Sequence, residues 1–275
     1  EFVATLKPQA GRRVLLAALA CAKNGSAASD ILRNLALIPA DDDTVNAIST
    51  FFATTQDRRS KVAAASYLCK ATKQDAYYEF LVQEALTPYD KSRQFDSPQS
   101  AAADAVLSVT VGWDAKRSQT AAMIRSLLAR IPKFSRNIDN PTGRLLSRLG
   151  QFGEPADADL LVTYCDDPDA SLVATAVYAL ANVNYKRALE KARSMVQKYV
   201  ESPEDNNSFQ QYVRPYFKLF CCLEDREAIR LLERALQRLH KADRNADKGL
   251  AETNAVLRLL RATNVEDRLR YAAAY

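Results

Sequence analysis

The chain is poor in the residues that most enzyme and β folds depend on. Among 275 residues there are 7 glycines, 10 prolines, one histidine and one tryptophan. An all-β protein needs many glycine-rich turns, and a dinucleotide or P-loop fold needs clustered glycines, so both classes are excluded. Long apolar runs are missing too. The longest, Val14 to Ala22, has nine residues, far short of the roughly 20 needed to span a bilayer. No signal peptide or lipidation motif is visible at either end. The chain begins Glu1-Phe2 rather than with Met, and Tyr271 to Tyr275 reads as a helix cut short. A fragment of a longer chain, or a processed product, is expected.

Chemistry is scarce for the same reason. A single histidine, His240, excludes histidine-based metal sites and leaves one candidate for any Ser–His or Cys–His pair. Followed by Lys241 near the end of a Leu/Arg helix, it reads as end-of-helix placement, where a cation complements the dipole. No GxGxxG, GxxxxGKS, HExxH or GxSxG occurs. The five cysteines, Cys21, Cys69, Cys165, Cys221 and Cys222, are odd in number, lack a CxxC and sit in apolar helical patterns. They read as buried free thiols, which favours the cytoplasm or another reducing compartment. Asp41-Asp42-Asp43 reads as a helix cap, because the spaced ligands of a calcium loop are absent. Neither cofactor nor metal is expected, and no catalytic residue.

What is present is helix former. Alanine contributes 45 residues and leucine 32, and apolar positions recur at i, i+3, i+4 and i+7 almost throughout. Asp167-Pro168-Asp169 stops one helix and caps the next, with Asp169 the expected N-cap. Leu172, Val173, Ala176, Val177, Leu180 and Val183 then form one stripe, and Ala188, Leu189, Ala192, Met195, Val196 and Tyr199 another. Handover turns occur at Lys73-Gln74-Asp75, Gly112-Trp113-Asp114, Gly153-Glu154-Pro155, Asn184-Tyr185-Lys186, Glu224-Asp225-Arg226 and Asn264-Val265-Glu266, about 31 to 41 residues apart. Two helices per period of this length predict an α-solenoid. Alanines at 63–65, 101–103, 174, 176 and 179 would let helices approach closely. Longer connections at 87–98, 132–141 and 201–207 fall between the two helices of one unit, and Arg214-Pro215 predicts a kink or break.

Asp157-Ala158-Asp159-Leu160-Leu161, Asp166-Asp167-Pro168-Asp169 and Val173-Ala174-Thr175-Ala176-Val177-Tyr178-Ala179-Leu180-Ala181 together resemble a HEAT repeat, especially the short HEAT-like type of phycobilisome lyases. The resemblance is strongest over 155–200, weaker over 41–150 and 208–262, and vague before residue 40. It implies an all-α, right-handed α-α superhelix (a HEAT/ARM-like solenoid) of about six to seven helix pairs, as a single domain over 1–275. Many HEAT units place an Arg of the second helix on an inter-helix Asp. Here Leu172 and Thr175 occupy that region, and only Asp57-Arg58-Arg59 suggests such a ladder. Repeat resemblance transfers fold and not chemistry, so no lyase activity is implied. HEAT-like DNA glycosylases share the architecture but grip lesions with several tryptophans. Trp113 is alone here, and it reads as a wedge between repeats.

Charge carries the remaining information. Ala115 to Gly150 holds eight bases against Asp139, whereas Glu154 to Asp169 holds six acids and no base. Arg226, Arg230, Arg234 and Arg238 are spaced four apart. With Glu227 and Glu233 placed to pair with Arg230, they read as a solvated outer face. On the second helices, which line the concave face of HEAT solenoids, Lys70, Arg144, Arg148, Tyr178, Arg214, Lys218, Arg258 and Arg261 occupy non-core positions. Stacked side by side they would form a basic stripe suited to carboxylates and phosphates. The expected function is a non-enzymatic scaffold binding a protein or peptide partner, possibly acidic. Nucleic acid bound through the same stripe is the alternative.

Overall fold

A computed structural model describes residues 8–22, 25–87, 98–130, 142–201, 209, 212–239 and 246–262. Within them the chain forms helices and no strand: α1 (Pro8–Ala20), α2 (Gly25–Leu35), α3 (Asp42–Thr54), α4 (Arg58–Thr72), α5 (Asp75–Leu86), α6 (Pro98–Val109), α7 (Arg117–Arg130), α8 (Thr142–Phe152), α9 (Ala158–Thr163), α10 (Ala170–Val183), α11 (Tyr185–Glu201), α12 (Phe217–Cys222), α13 (Ala228–Leu239) and α14 (Ala246–Arg261). The chain divides into two compact units, Glu1–Leu127 and Leu128–Tyr275.

The helix starts follow local side-chain chemistry. The Asp41 carboxylate accepts from the Thr44 N–H at 2.9 Å, and Asp57 from the Ser60 N–H at 2.8 Å. Asp169 accepts from the N–H groups of Ser171 and Leu172, as its position after Asp-Pro predicts. Each satisfies donors that the first helical turn cannot pair internally. Arg214-Pro215 does break its helix: Arg214–Tyr216 is a 3-10 turn leading into α12, since proline lacks the N–H that a continuing helix needs. Three handover turns contain a left-handed residue, and two of these are not glycine: Lys73 (φ 54°), Glu224 (φ 51°) and Gly112 (φ 77°). Glycine scarcity is thus met partly by forcing ordinary side chains into αL, at roughly 1–2 kcal/mol each.

In the first unit α2 packs on α4 and α4 on α6, while α4 and α5 are also neighbours. Arg58 at the start of α4 pairs with Glu84 at the end of α5, at 2.6 Å, so these two run antiparallel. The other layer is joined by Phe52 of α3 against Tyr77 and Phe80 of α5, both edge-on. From α5, the Tyr78 hydroxyl lies 2.7 Å from Thr120 Oγ1 of α7, which in turn lies 2.8 Å from Thr110 Oγ1. All three residues are buried, so this chain of hydroxyls satisfies itself within the core. Trp113 stacks edge-on with Tyr78 at 5.6 Å, with Lys73 and Lys116 Nζ over its ring at 5.3 and 5.5 Å.

In the second unit α8 packs on α10, α10 on α11, α11 on α13, and α12 on α14. At Gly150 of α8 the neighbouring helix α10 approaches closely. A Cβ there would lie 2.5 Å from the Ala179 Cα of α10, so only glycine allows this approach. The α9, α11 and α13 segments run parallel: Asp159 meets Arg187 and Asp166 meets Lys191, while Arg193 meets Asp225 and Val200 meets Arg238. Within the last pair, Gly249 lies against Leu239 and Arg261 pairs with Glu233, so α13 and α14 are antiparallel.

Hydrogen bonds join side chains on different helices and turns 29 residues apart for Arg12 and Asp41, 28 for Ser49 and Tyr77, and 28 for Asp159 and Arg187. Across the three longer connections the separations are 42 (Tyr78, Thr120), 36 (Leu128, Tyr164) and 37 (Tyr178, Pro215). Most residues of those connections lie outside the described residues.

One sequence expectation fails. Cys69 and Cys165 are buried, but Cys21 and Cys222 are exposed and Cys221 is half-buried. Cys21 follows the last residue of α1, and Cys222 ends α12.

Candidate functional site

Seven of the eight expected stripe residues fall in the second unit, on consecutive neighbours α8, α10, the Arg214–Tyr216 turn with α12, and α14. Lys70 lies in α4 of the first unit, exposed. Arg144 is exposed on α8, and half-buried Arg148 donates to Gln151 Oε1 at 2.7 Å. Lys218 on α12 and Arg258 on α14 are both exposed.

Three of the residues are committed to holding helices together. The Tyr178 hydroxyl donates to the Pro215 carbonyl oxygen at 2.7 Å, and its half-buried ring ties α10 to the turn before α12. Burial pushes its phenol pKa up, so it stays protonated and donating. Arg214 grips both carboxylate oxygens of Glu252 on α14, each at 2.7 Å, and Glu252 is 15% exposed. Arg261 pairs with Glu233 of α13. Lys218 and Arg258 are two further exposed cations on α12 and α14.

The most buried charged pair of the unit was not among the expected residues. Asp225, 3% exposed, receives the Arg193 fork from the preceding repeat through Nε at 2.8 Å and Nη2 at 2.7 Å. Arg193 also reaches Glu227. Hydrogen bonding to Asp225 raises the already high Arg193 pKa, so the guanidinium stays charged. This joins an Arg of one repeat to an Asp in the turn of the next, whereas Asp57-Arg58-Arg59 was the only such ladder legible in sequence. Nothing local marks Arg193 and Asp225, 32 residues apart, as partners; the packing of α11 on α13 brings them together.

Glu227 and Glu233 also behave differently from expectation. Both were placed to neutralise Arg230 along α13, but Glu227 turns to Arg193 and Glu233 to Arg261. Arg238 is anchored as well, donating to the Val200 carbonyl at 2.8 Å and covering the Tyr199 ring at 5.2 Å. Arg226, Arg230 and Arg234 remain exposed.

Burial raises Cys69, Cys165 and Cys221 each to about 11, so they are neutral thiols near pH 7. Among the described residues no group of three or more His, Cys, Asp or Glu is placed to hold a metal ion, and no helix is long and apolar enough to cross a membrane. His240 lies outside the described residues. No family model, curated protein or solved structure matches the chain.

Proposed function

We propose that the chain is a non-enzymatic scaffold, a HEAT-like solenoid of about six to seven helix pairs wound as a right-handed superhelix, which binds a protein or peptide partner, an acidic one by the charge of its binding residues, along its second helices. One observation carries the reading: within each unit several helices pack on the helix two places along (α2 on α4 and α4 on α6; α8 on α10, α11 on α13 and α12 on α14), and the adjoining pairs α4/α5 and α13/α14 run antiparallel. Helices packed in this way would present alternate helices of a unit side by side, the property that extended repeat proteins use for binding. On that surface Arg144, Arg148, Lys218 and Arg258 supply cations, while Tyr178, Arg214 and Arg261 hold the helices that display them. Arginine forks favour carboxylates over neutral groups.

The test is capture from a cell extract of the native source, with the wild-type chain and an R148E/K218E/R258E variant as baits. A partner retained by the wild type and lost by the variant, with an unchanged circular dichroism spectrum, is the expected result. Equal capture by both baits overturns the binding surface.

A further inference from the structure

We propose that Arg230 and Arg234 on the exposed side of α13, with Arg226 in the turn just before it, form a second binding site, for the phosphodiester backbone of duplex nucleic acid. Arg230 and Arg234 are four residues apart, about 6 Å along the helix axis, and so project from one side, while Arg226 lies two residues before the helix begins. All three are exposed. The acids nearest to them in sequence are engaged elsewhere: Asp225 and Glu227 with Arg193, and Glu233 with Arg261. Arg238, the fourth of the series, is engaged by the Val200 carbonyl and the Tyr199 ring. The row therefore keeps three guanidinium forks whose donors are not committed to side chains on either neighbouring helix.

The surroundings select the ligand. A helix or peptide docking on this side would need apolar anchors. The exposed large apolar residues described, Val14, Leu37, Val111 and Tyr185, all lie on other elements. Single-stranded nucleic acid is gripped largely by stacking bases on aromatic rings, and α13 carries no aromatic residue. A duplex backbone requires neither anchors nor rings. It is bound by cations alone, with counterion release as the driving force and no base readout. The site is separate from the second-helix face proposed above, and neither depends on the other.

Fluorescence anisotropy with a labelled mixed-sequence DNA duplex of about 20 base pairs tests the proposal, titrated from about 20 to 150 mM NaCl. Three phosphate contacts predict that log affinity falls against log salt with a slope of roughly −2.7. The variant R226Q/R230Q/R234Q keeps helix propensity and should lose roughly tenfold or more at the lowest salt, with a flatter slope. The variant R13Q/R33Q/K186Q removes the same number of exposed charges elsewhere and should bind nearly as wild type. Absence of wild-type binding at the lowest salt overturns the site. So does equal loss in both variants, which would mean bulk charge alone. Displacement of the duplex by poly-glutamate at equal charge concentration would show a general acid site and overturn the phosphodiester assignment.

Discussion

Replacing Arg193 with methionine should cost more stability than the loss of any other surface-reaching cation described here. Asp225 is 3% exposed and Arg193 26% exposed, with two near-ideal bonds between them. Removing one partner of a buried pair strands the other, at about 3–5 kcal/mol when both are buried. Because water reaches part of Arg193, about 3 kcal/mol is the fitting magnitude. For a chain of this size that corresponds to a fall in Tm of roughly 6–12 °C. The assay is thermal denaturation followed by far-UV circular dichroism, on R193M and on R193M/D225L. The double variant removes the stranded carboxylate and should recover at least half of the loss, since apolar replacement of both partners is often near neutral. A shift under roughly 2 °C for R193M, or a double variant no more stable than the single one, would refute the inter-repeat role of this pair.

Further outcomes follow from the same geometry. G150A should be destabilising by roughly 1–3 kcal/mol despite alanine's better helix propensity, because its Cβ would meet the Ala179 backbone at 2.5 Å. G143A, whose nearest neighbour would be Leu172 Cδ1 at 3.8 Å, should be neutral or slightly stabilising; urea denaturation of the two variants checks the contrast. In the native protein near pH 7.5, a thiol-specific disulfide reagent should label Cys21 and Cys222 fast and leave Cys69 and Cys165 unreacted until denaturant is added. Rapid labelling of Cys165 in peptide maps would contradict its burial. The Thr44 hydroxyl and N–H, with the Arg12 guanidinium, hold the Asp41 pKa below the usual 3.8. Its contribution is therefore present above the unfolded value and lost as pH falls through the lower folded one. The Tm gap between wild type and D41A should be open at pH 7 and close toward pH 2; a gap independent of pH would refute the assignment.

Much of the architecture was legible because helix signals are local. Apolar spacing marked α10 and α11, Asp41, Asp57 and Asp169 lie at the starts of helices, and Pro215 marked the break before α12. The repeat period followed from turns that recur along the chain. The face of each long helix was legible for the same reason: its stripe is set by residues three and four apart. Arg214, Arg261 and Tyr178 show where this stops. A non-core helical position looks the same in sequence whether its side chain meets solvent, a partner, or the next repeat.

Sequence by itself determined that this chain is helical and where many of its helices begin, since each depends on a few neighbouring residues. Tertiary structure decided which charges are spent. Glu227 and Glu233 sit at helical spacing from Arg230, yet Arg193 and Arg261 on adjoining helices take them. Packing also decided that Gly150 is a contact rather than a flaw in α8, and that Asp225 is a buried anchor rather than a solvated turn residue. The physical reason is common to all three: an ion pair or a close approach depends on distance in space, and that is set by how one repeat seats against the next.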